Sequence, residues 1–279
     1  MIKLMITDLD DTLYSWIGFF IPAFYGMLDE LSSILGIPKS ALIQEYKQVH
    51  QRKGSVEYPF ATLLLPSVKK AYPNATEEEL LQALNPAFHK FNSIRKQKLE
   101  LYSGVKETLN TITKMNIKIV GYTDSAAENG FYRLIRLQIA DFFQHVYVSE
   151  SQLKLTENFS DREKTQVVSG KKPNPEVIKK ICEQENVAAS ETLYIGDSMT
   201  KDIYMAKRAE VTAVLCKYPT SEKVQTDLYK ELVAISHWTT EDFKKEQEIK
   251  ELCKKENIYP DYIISSFNEI LSIIQQLNT

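Results

Sequence analysis

Two aspartates, Asp8 and Asp10, stand where a short apolar run beginning at Ile2 gives way to acid, in Met5-Ile6-Thr7-Asp8-Leu9-Asp10-Asp11-Thr12-Leu13. The run reads as a buried strand. Side chains alternate along a strand, so both carboxylates leave its carboxyl end close together and toward the same side. Each resists ionisation beside the other. A divalent cation removes that penalty, and a hard cation such as Mg²⁺ takes oxygen ligands while keeping waters and a phosphate in its shell. The chemistry indicated is metal-assisted phosphoryl transfer with one aspartate as nucleophile.

Other polar groups complete that chemistry. Thr123 follows the strand Ile117 to Tyr122, and Asp197 follows the strand Thr192 to Ile195. Lys172 lies in a loop ahead of a helix that opens with Asn174 as N-cap and Pro175 at its first position. In an open parallel sheet, ligands bind beyond the carboxyl ends of the strands, where such groups can meet. Asp8 suits the nucleophile. Asp10 suits a general acid that protonates the leaving oxygen and later acts as base. The Thr123 hydroxyl and Lys172 ammonium can hold phosphoryl oxygens. Asp197 supplies a metal oxygen, while Asp202 either holds a metal-bound water or orients Lys172. Lys171 is an alternative to Lys172, one residue out of register with Pro173. Asp124 and Ser125 are placed to line the pocket, although Ser125 could equally cap the next helix.

Bland readings cover much of the rest. Phe20 and Phe24 sit in an aromatic stripe that reads as core packing, whereas Tyr14 and Trp16, nearest the first strand end, are candidates for substrate contact. His50, His89, His145 and His237 lack metal-ligand spacing. Cys182, Cys216 and Cys253 are odd in number and far apart, which fits reduced structural thiols in a cytosolic protein.

The elements that must position these groups alternate in two styles. From Trp16 the pattern is helical for about ninety residues: Trp16 to Leu35, Lys39 to Gln51, Phe60 to Ala71, and a helix capped by Thr76 and Glu79 that runs toward Lys98. From Tyr102 strands and helices alternate, with strands at Ile117 to Tyr122, His145 to Val148, Thr192 to Ile195, Val211 to Leu215 and Tyr262 to Ser265. That alternation predicts an α/β fold with a parallel sheet and helices on both faces. Residues 15–100 then form a small helical domain inserted after the first strand, and residues 1–14 and 101–279 form a discontinuous core. Residues 150–170 are polar and without pattern. Residues 217–257 include a Lys- and Glu-rich helix that reads as a solvated face.

Size and composition are those of a globular protein: 279 residues, 43% hydrophobic and 25% charged. A net charge of -3 gives no argument for nucleic acid or an anionic membrane surface. No apolar run is long enough to span a bilayer, and the N-terminus enters a strand without a signal-peptide pattern, so a cytoplasmic location is expected.

Taken with their order and spacing, four segments resemble the motifs of the haloacid dehalogenase superfamily. They are Asp8-Leu9-Asp10-Asp11-Thr12-Leu13, Ile119-Val120-Gly121-Tyr122-Thr123, Lys172-Pro173-Asn174-Pro175, and Tyr194-Ile195-Gly196-Asp197-Ser198-Met199-Thr200-Lys201-Asp202. The resemblance covers residues 1–14 and 100–279. It implies a Rossmann-like core, Mg²⁺ dependence, an aspartyl-phosphate intermediate on Asp8, and a metal held through the backbone carbonyl of Asp10. It also implies that the helical insert is a cap that selects substrate. Asp10 speaks against the dehalogenase branch, which needs no leaving-group acid, and Thr12 resembles phosphatases more than sugar phosphomutases. Asp11 and Glu210 stand where glycine is commoner.

The expected function is a Mg²⁺-dependent phosphomonoester hydrolase acting on a small soluble nucleotide or sugar phosphate, as a monomer or homodimer. The alternatives are a phosphomutase or phosphotransferase of the same superfamily, and a catalytically idle scaffold that binds a protein partner through residues 217–257.

Overall fold

A computed structural model describes residues 1–58, 60–150, 164–218 and 222–279. The chain divides into two compact units, one of Met1–Ser15, Glu100–Pro219 and Lys245–Thr279, the other of Trp16–Leu99 and Thr220–Lys244.

The first unit is built on seven parallel strands: β1 (Leu4–Thr7), β2 (Lys118–Ala126), β3 (His145–Ser149), β4 (Thr165–Val167), β5 (Thr192–Gly196), β6 (Thr212–Cys216) and β7 (Tyr262–Ile264). Their order is β4-β3-β2-β1-β5-β6-β7, with helices on both faces, as a Rossmann-like α/β fold requires. All four residues of β1 are buried, which is why it reads as a continuous apolar run. Thr7 pairs with Gly121 of β2 on one side and Ile195 of β5 on the other. Although β2 runs on to Ala126, this register sets Asp8, Thr123 and Asp197 within a residue or two of the same height. The order reverses at β1, the place where such sheets open a crevice.

Strand alternation sorts the site by face. Leu4, Ile6, Val120, Tyr122, Tyr194, Ala213 and Leu215 pack with Val177, Ile178 and Ile181 of the helix Pro175–Glu185 and with Met205 and Ala206. By parity Asp8 and Asp124 continue that face, and Thr123 and Ser125 continue the other.

Some details differ from the sequence reading. The polar stretch 150–170 contains β4, whose three residues are too few to show a period; residues 151–163 lie outside the described residues. The helix expected from Thr200 opens instead on a wide π-type turn, Met199–Ile203. Asp11 and Glu210 adopt left-handed backbone, with φ of 58° and 59°. Those turns favour glycine, and the side chains there cost about 1 kcal/mol each.

The second unit is helical. Trp16–Leu35 buries Phe19, Phe20, Phe24 and Leu28, and the Phe24 ring meets Tyr46 of Lys39–Lys53 edge-on at 4.8 Å. Thr76 and Glu79 form both bonds of the capping box that starts Glu77–Ala83. The helix expected over Phe60 to Ala71 is split, because Leu65 is extended and Pro66 can only begin a new helix. A second proline, Pro86, likewise marks the first turn of Asn85–Lys98. Thr220–Lys244, part of the range 101–279 expected for the core, groups here because the helix Glu222–Ile235 packs on Trp16–Leu35 and Lys39–Lys53. Among the described residues, no single helix is long and apolar enough to cross a membrane.

His50 ties that late helix in. Its Nδ1 lies 2.8 Å from the Ile235 carbonyl oxygen, and burial lowers its pKa from 6.5 to about 4. An unfolded chain therefore binds more protons than the folded one between pH 6.5 and about 4. Stability must rise with pH across that window and fall as pH drops through it. Urea titrations at a series of pH values should show wild type losing about 3 kcal/mol more than His50→Gln on acidification. Parallel pH profiles for the two proteins would contradict this account.

Candidate active site

Lys172 is the centre of the site. Its Nζ donates to Asp8 Oδ1 at 2.5 Å and to Asp202 Oδ1 at 2.8 Å, with all three side chains buried. The ammonium lies over the ring of Tyr122 at 4.9 Å and that of Tyr194 at 5.7 Å. Those tyrosines come from β2 and β5, which flank β1. Burial alone would lower the lysine pKa, but Asp202 and Asp8 outweigh it and hold it well above the usual value. The cation persists at any physiological pH.

Asp202 is fully engaged. Its Oδ1 also accepts from the Tyr194 hydroxyl at 2.8 Å, and its Oδ2 accepts from the Ser198 backbone N–H at 3.1 Å. The π-type turn brings it against β5, where a Cβ on Gly196 would lie 2.5 Å from the Asp202 Cγ. Only glycine allows that approach. Of the two roles left open for Asp202, the hydrogen bonds favour orienting Lys172.

The nucleophile candidate is held from both sides. Asp8 Oδ2 accepts from the Thr12 hydroxyl at 3.1 Å, opposite the lysine contact. Burial lifts its carboxyl well above the ordinary range; Lys172 pulls it down, and Asp202 and Asp197 push it up again. Carboxylate oxygens of Asp8, Asp197 and Asp202 come within 4.8 Å of one another. Asp197 faces solvent at the end of β5. Partial desolvation by the neighbouring protein, and then the charges of Asp202 and Asp11, raise its pKa above the ordinary carboxylate range. Asp8 and Asp197 thus carry repulsion that one lysine does not relieve, and their oxygens fit a hard divalent cation.

The end of β2 carries the other half. Thr123 is buried, and its Oγ1 accepts the Ser125 N–H at 3.0 Å, which leaves the threonine hydrogen to donate elsewhere. Asp124, on the opposite face, accepts the Lys172 backbone N–H at 2.9 Å and lies 3.9 Å from the Lys201 ammonium. It positions the lysine loop. The Asp10 carboxylate is not in the acid cluster: Oδ1 meets Arg133 Nη1 at 2.8 Å and Oδ2 meets the Ser125 hydroxyl at 2.8 Å.

The remaining candidates separate. Tyr14 is fully buried beside Asp10 and Arg133; burial and then the Asp10 charge hold its pKa well above 10 against the opposing pull of Arg133, and its place is beside the Asp10 carboxylate and not on an open substrate face. Trp16 belongs to the helical unit, where its indole N–H donates to Glu57 at 3.0 Å and its ring stacks on Phe20. Lys171 is exposed while Lys172 is buried. The three cysteines are buried, and burial raises each thiol, so none is a ready nucleophile. Arg133, Tyr122, Tyr194 and the Thr12 contact were not singled out as site groups from the sequence. The available signal for Arg133 was its place on the apolar face of Ala127–Arg136, beside Gly130, Phe131 and Leu134.

A family model described as haloacid dehalogenase-like hydrolase matches residues 2–210. A glyceraldehyde 3-phosphate phosphatase of Methanopyrus kandleri is 29% identical over 225 residues, covering 77% of this chain and 83% of its own. A protein of the same name from Pyrococcus abyssi is 30% identical over 115 residues, but the match spans only 41% of this chain and 42% of that one. A solved 2-haloacid dehalogenase from Pseudomonas syringae aligns over 99% of both chains with a TM-score of 0.57 at 19% identity, a likeness of fold alone.

Proposed function

Because the chain belongs to the haloacid dehalogenase-like hydrolase family, we propose that it is a phosphomonoester hydrolase for small soluble phosphates, with sugar phosphates of triose size the leading class. The observation that carries this reading is the buried Asp8 carboxylate, clamped between Lys172 and Thr12 beside two further acids. The phosphatase names of the relatives support the substrate class.

Asp8 attacks phosphorus, and its oxygen forms the new bond as the leaving oxygen departs with the electron pair of the old one. Asp10 gives that oxygen a proton, then takes one from the water that hydrolyses the aspartyl phosphate. Lys172 and Thr123 hold the phosphoryl oxygens, and Asp202 and Asp124 fix Lys172. Asp8 and Asp197, with the Asp10 carbonyl, would hold a Mg²⁺ ion, which when bound neutralises charge on the phosphoryl group. The helical unit would serve as the cap.

The test is turnover of 4-nitrophenyl phosphate and of a panel of phosphorylated metabolites that includes glyceraldehyde 3-phosphate. Activity should vanish with chelator and return with Mg²⁺. Mg²⁺ at about a hundred times its Kd should also stabilise the fold by about 3 kcal/mol, and Asp197→Asn should weaken that effect. Full activity in chelator, or phosphate transfer to a sugar in place of water, would overturn the proposal.

A further inference from the structure

Asp10 is held by two donors from a part of the chain that the four motifs do not include. Arg133 Nη1 reaches Asp10 Oδ1 at 2.8 Å and the Ser125 oxygen at 3.2 Å, and the Ser125 hydroxyl reaches Asp10 Oδ2 at 2.8 Å. A serine hydroxyl has one hydrogen. Spent on Asp10, it leaves the oxygen to accept from Arg133, so each donor in this ring has one direction to point. The ring closes on both carboxylate oxygens and leaves the Asp10 side chain little freedom to rotate.

The support beneath the ring is closely packed. The helix Ala127–Arg136 sits so close to β2 that a Cβ on Gly130 would meet the Thr123 Cγ2 at 3.2 Å. The Ser125 N–H is bonded to the Thr123 hydroxyl at 3.0 Å, which couples the setting of the acid to that of a phosphoryl donor. The Arg133 side chain is 4% exposed, yet the Asp10 side chain keeps 23%. Burying a guanidinium is costly unless its hydrogen bonds are made. Here the cation is buried while the carboxylate it holds keeps an exposed part.

We propose that Arg133 and Ser125 are positioning residues that aim Asp10 at the leaving oxygen, and so set how well the enzyme cleaves esters of poor leaving groups. This rests on the reading of Asp10 as the acid. When the bond from phosphorus to an alkyl oxygen breaks, its electron pair goes to an alkoxide that must take the Asp10 proton. A 4-nitrophenolate carries the charge itself and needs no such proton. Loss of aim therefore penalises alkyl esters selectively.

The experiment compares kcat/KM for glycerol 3-phosphate with that for 4-nitrophenyl phosphate in wild type, Arg133→Met, Arg133→Lys, Ser125→Ala and Asp10→Asn. This parameter covers the steps through loss of the leaving group and excludes the hydrolysis that both substrates share. A variant that merely folds less well lowers both values equally and leaves their ratio unchanged. The alkyl-to-aryl ratio should fall about 100-fold in Asp10→Asn and at least about tenfold in Arg133→Met and Ser125→Ala, with Arg133→Lys recovering part of it. If Asp10→Asn depresses the ratio and both Arg133→Met and Ser125→Ala leave it at the wild-type value, the positioning role is wrong although the acid is right. If Asp10→Asn itself leaves the ratio unchanged, Asp10 is not the acid and the proposal falls with it.

Discussion

Asp8→Asn is expected to lose turnover by about 10⁴-fold or more while folding at least as stably as wild type. The amide keeps the shape of the carboxylate but cannot act as the nucleophile. It also removes one charge from a buried group that burial, Asp202 and Asp197 all push away from ionisation. Lys172 retains Asp202 as a partner at 2.8 Å, so no buried cation is orphaned. Activity and stability thus move in opposite directions, the pattern of a site held together against its own repulsion. Steady-state kinetics and thermal melts on the same preparation check both halves. Residual turnover within tenfold of wild type would remove Asp8 from the nucleophile's place.

Lys172→Met is expected to damage both properties. The ammonium is the described cation that bonds two of the three clustered acids directly, and its loss leaves Asp8 and Asp202 buried side by side. Breaking a buried pair in this way costs about 3–5 kcal/mol. Losing a donor to the phosphoryl oxygens costs about 10²–10³ in kcat. Methionine fills similar volume, so the deficit reports charge and not a cavity. Urea midpoints and kcat measured together test this. A variant as stable as wild type would mean that the acids do not repel as their placement requires.

The contrast between these two positions shows what could be read from residues alone. Asp8 and Asp197 each follow a strand that is apolar enough to be recognised, Thr123 stands past the apolar run of a third, and the register of the parallel sheet brings them level. The convergence of these residues follows from pattern and topology. Lys172 and Asp202 were legible through their register within short motifs beside Pro173 and Gly196. Arg133 was not, because a lone arginine on a helix reads as solvated until the packing of Gly130 against β2 is seen. Tyr194 and Tyr122 looked like plain core residues, and they are, yet the hydroxyl of Tyr194 and both rings face the buried lysine.

The helical region was harder for a different reason. Its helices are amphipathic enough to recognise, but helix breaks at Leu65 and Leu84 depend on proline positions that a periodicity count passes over. The grouping of Thr220–Lys244 with residues 16–99 depends on contacts far apart in sequence, such as His50 with Ile235, for which spacing gives no signal. The left-handed turns at Asp11 and Glu210 are intermediate cases. Both positions stood out as places where glycine is commoner, and the backbone there shows why.

The covalent step is the heart of the account, and it can be caught. The protein is mixed with 4-nitrophenyl phosphate and Mg²⁺, quenched in acid during turnover, digested, and examined by mass spectrometry. The account predicts one added phosphoryl group on the peptide containing Asp8, absent from Asp8→Asn and absent when substrate is omitted. Turnover with no phosphorylated peptide, or with the phosphoryl group on any other residue, would contradict it.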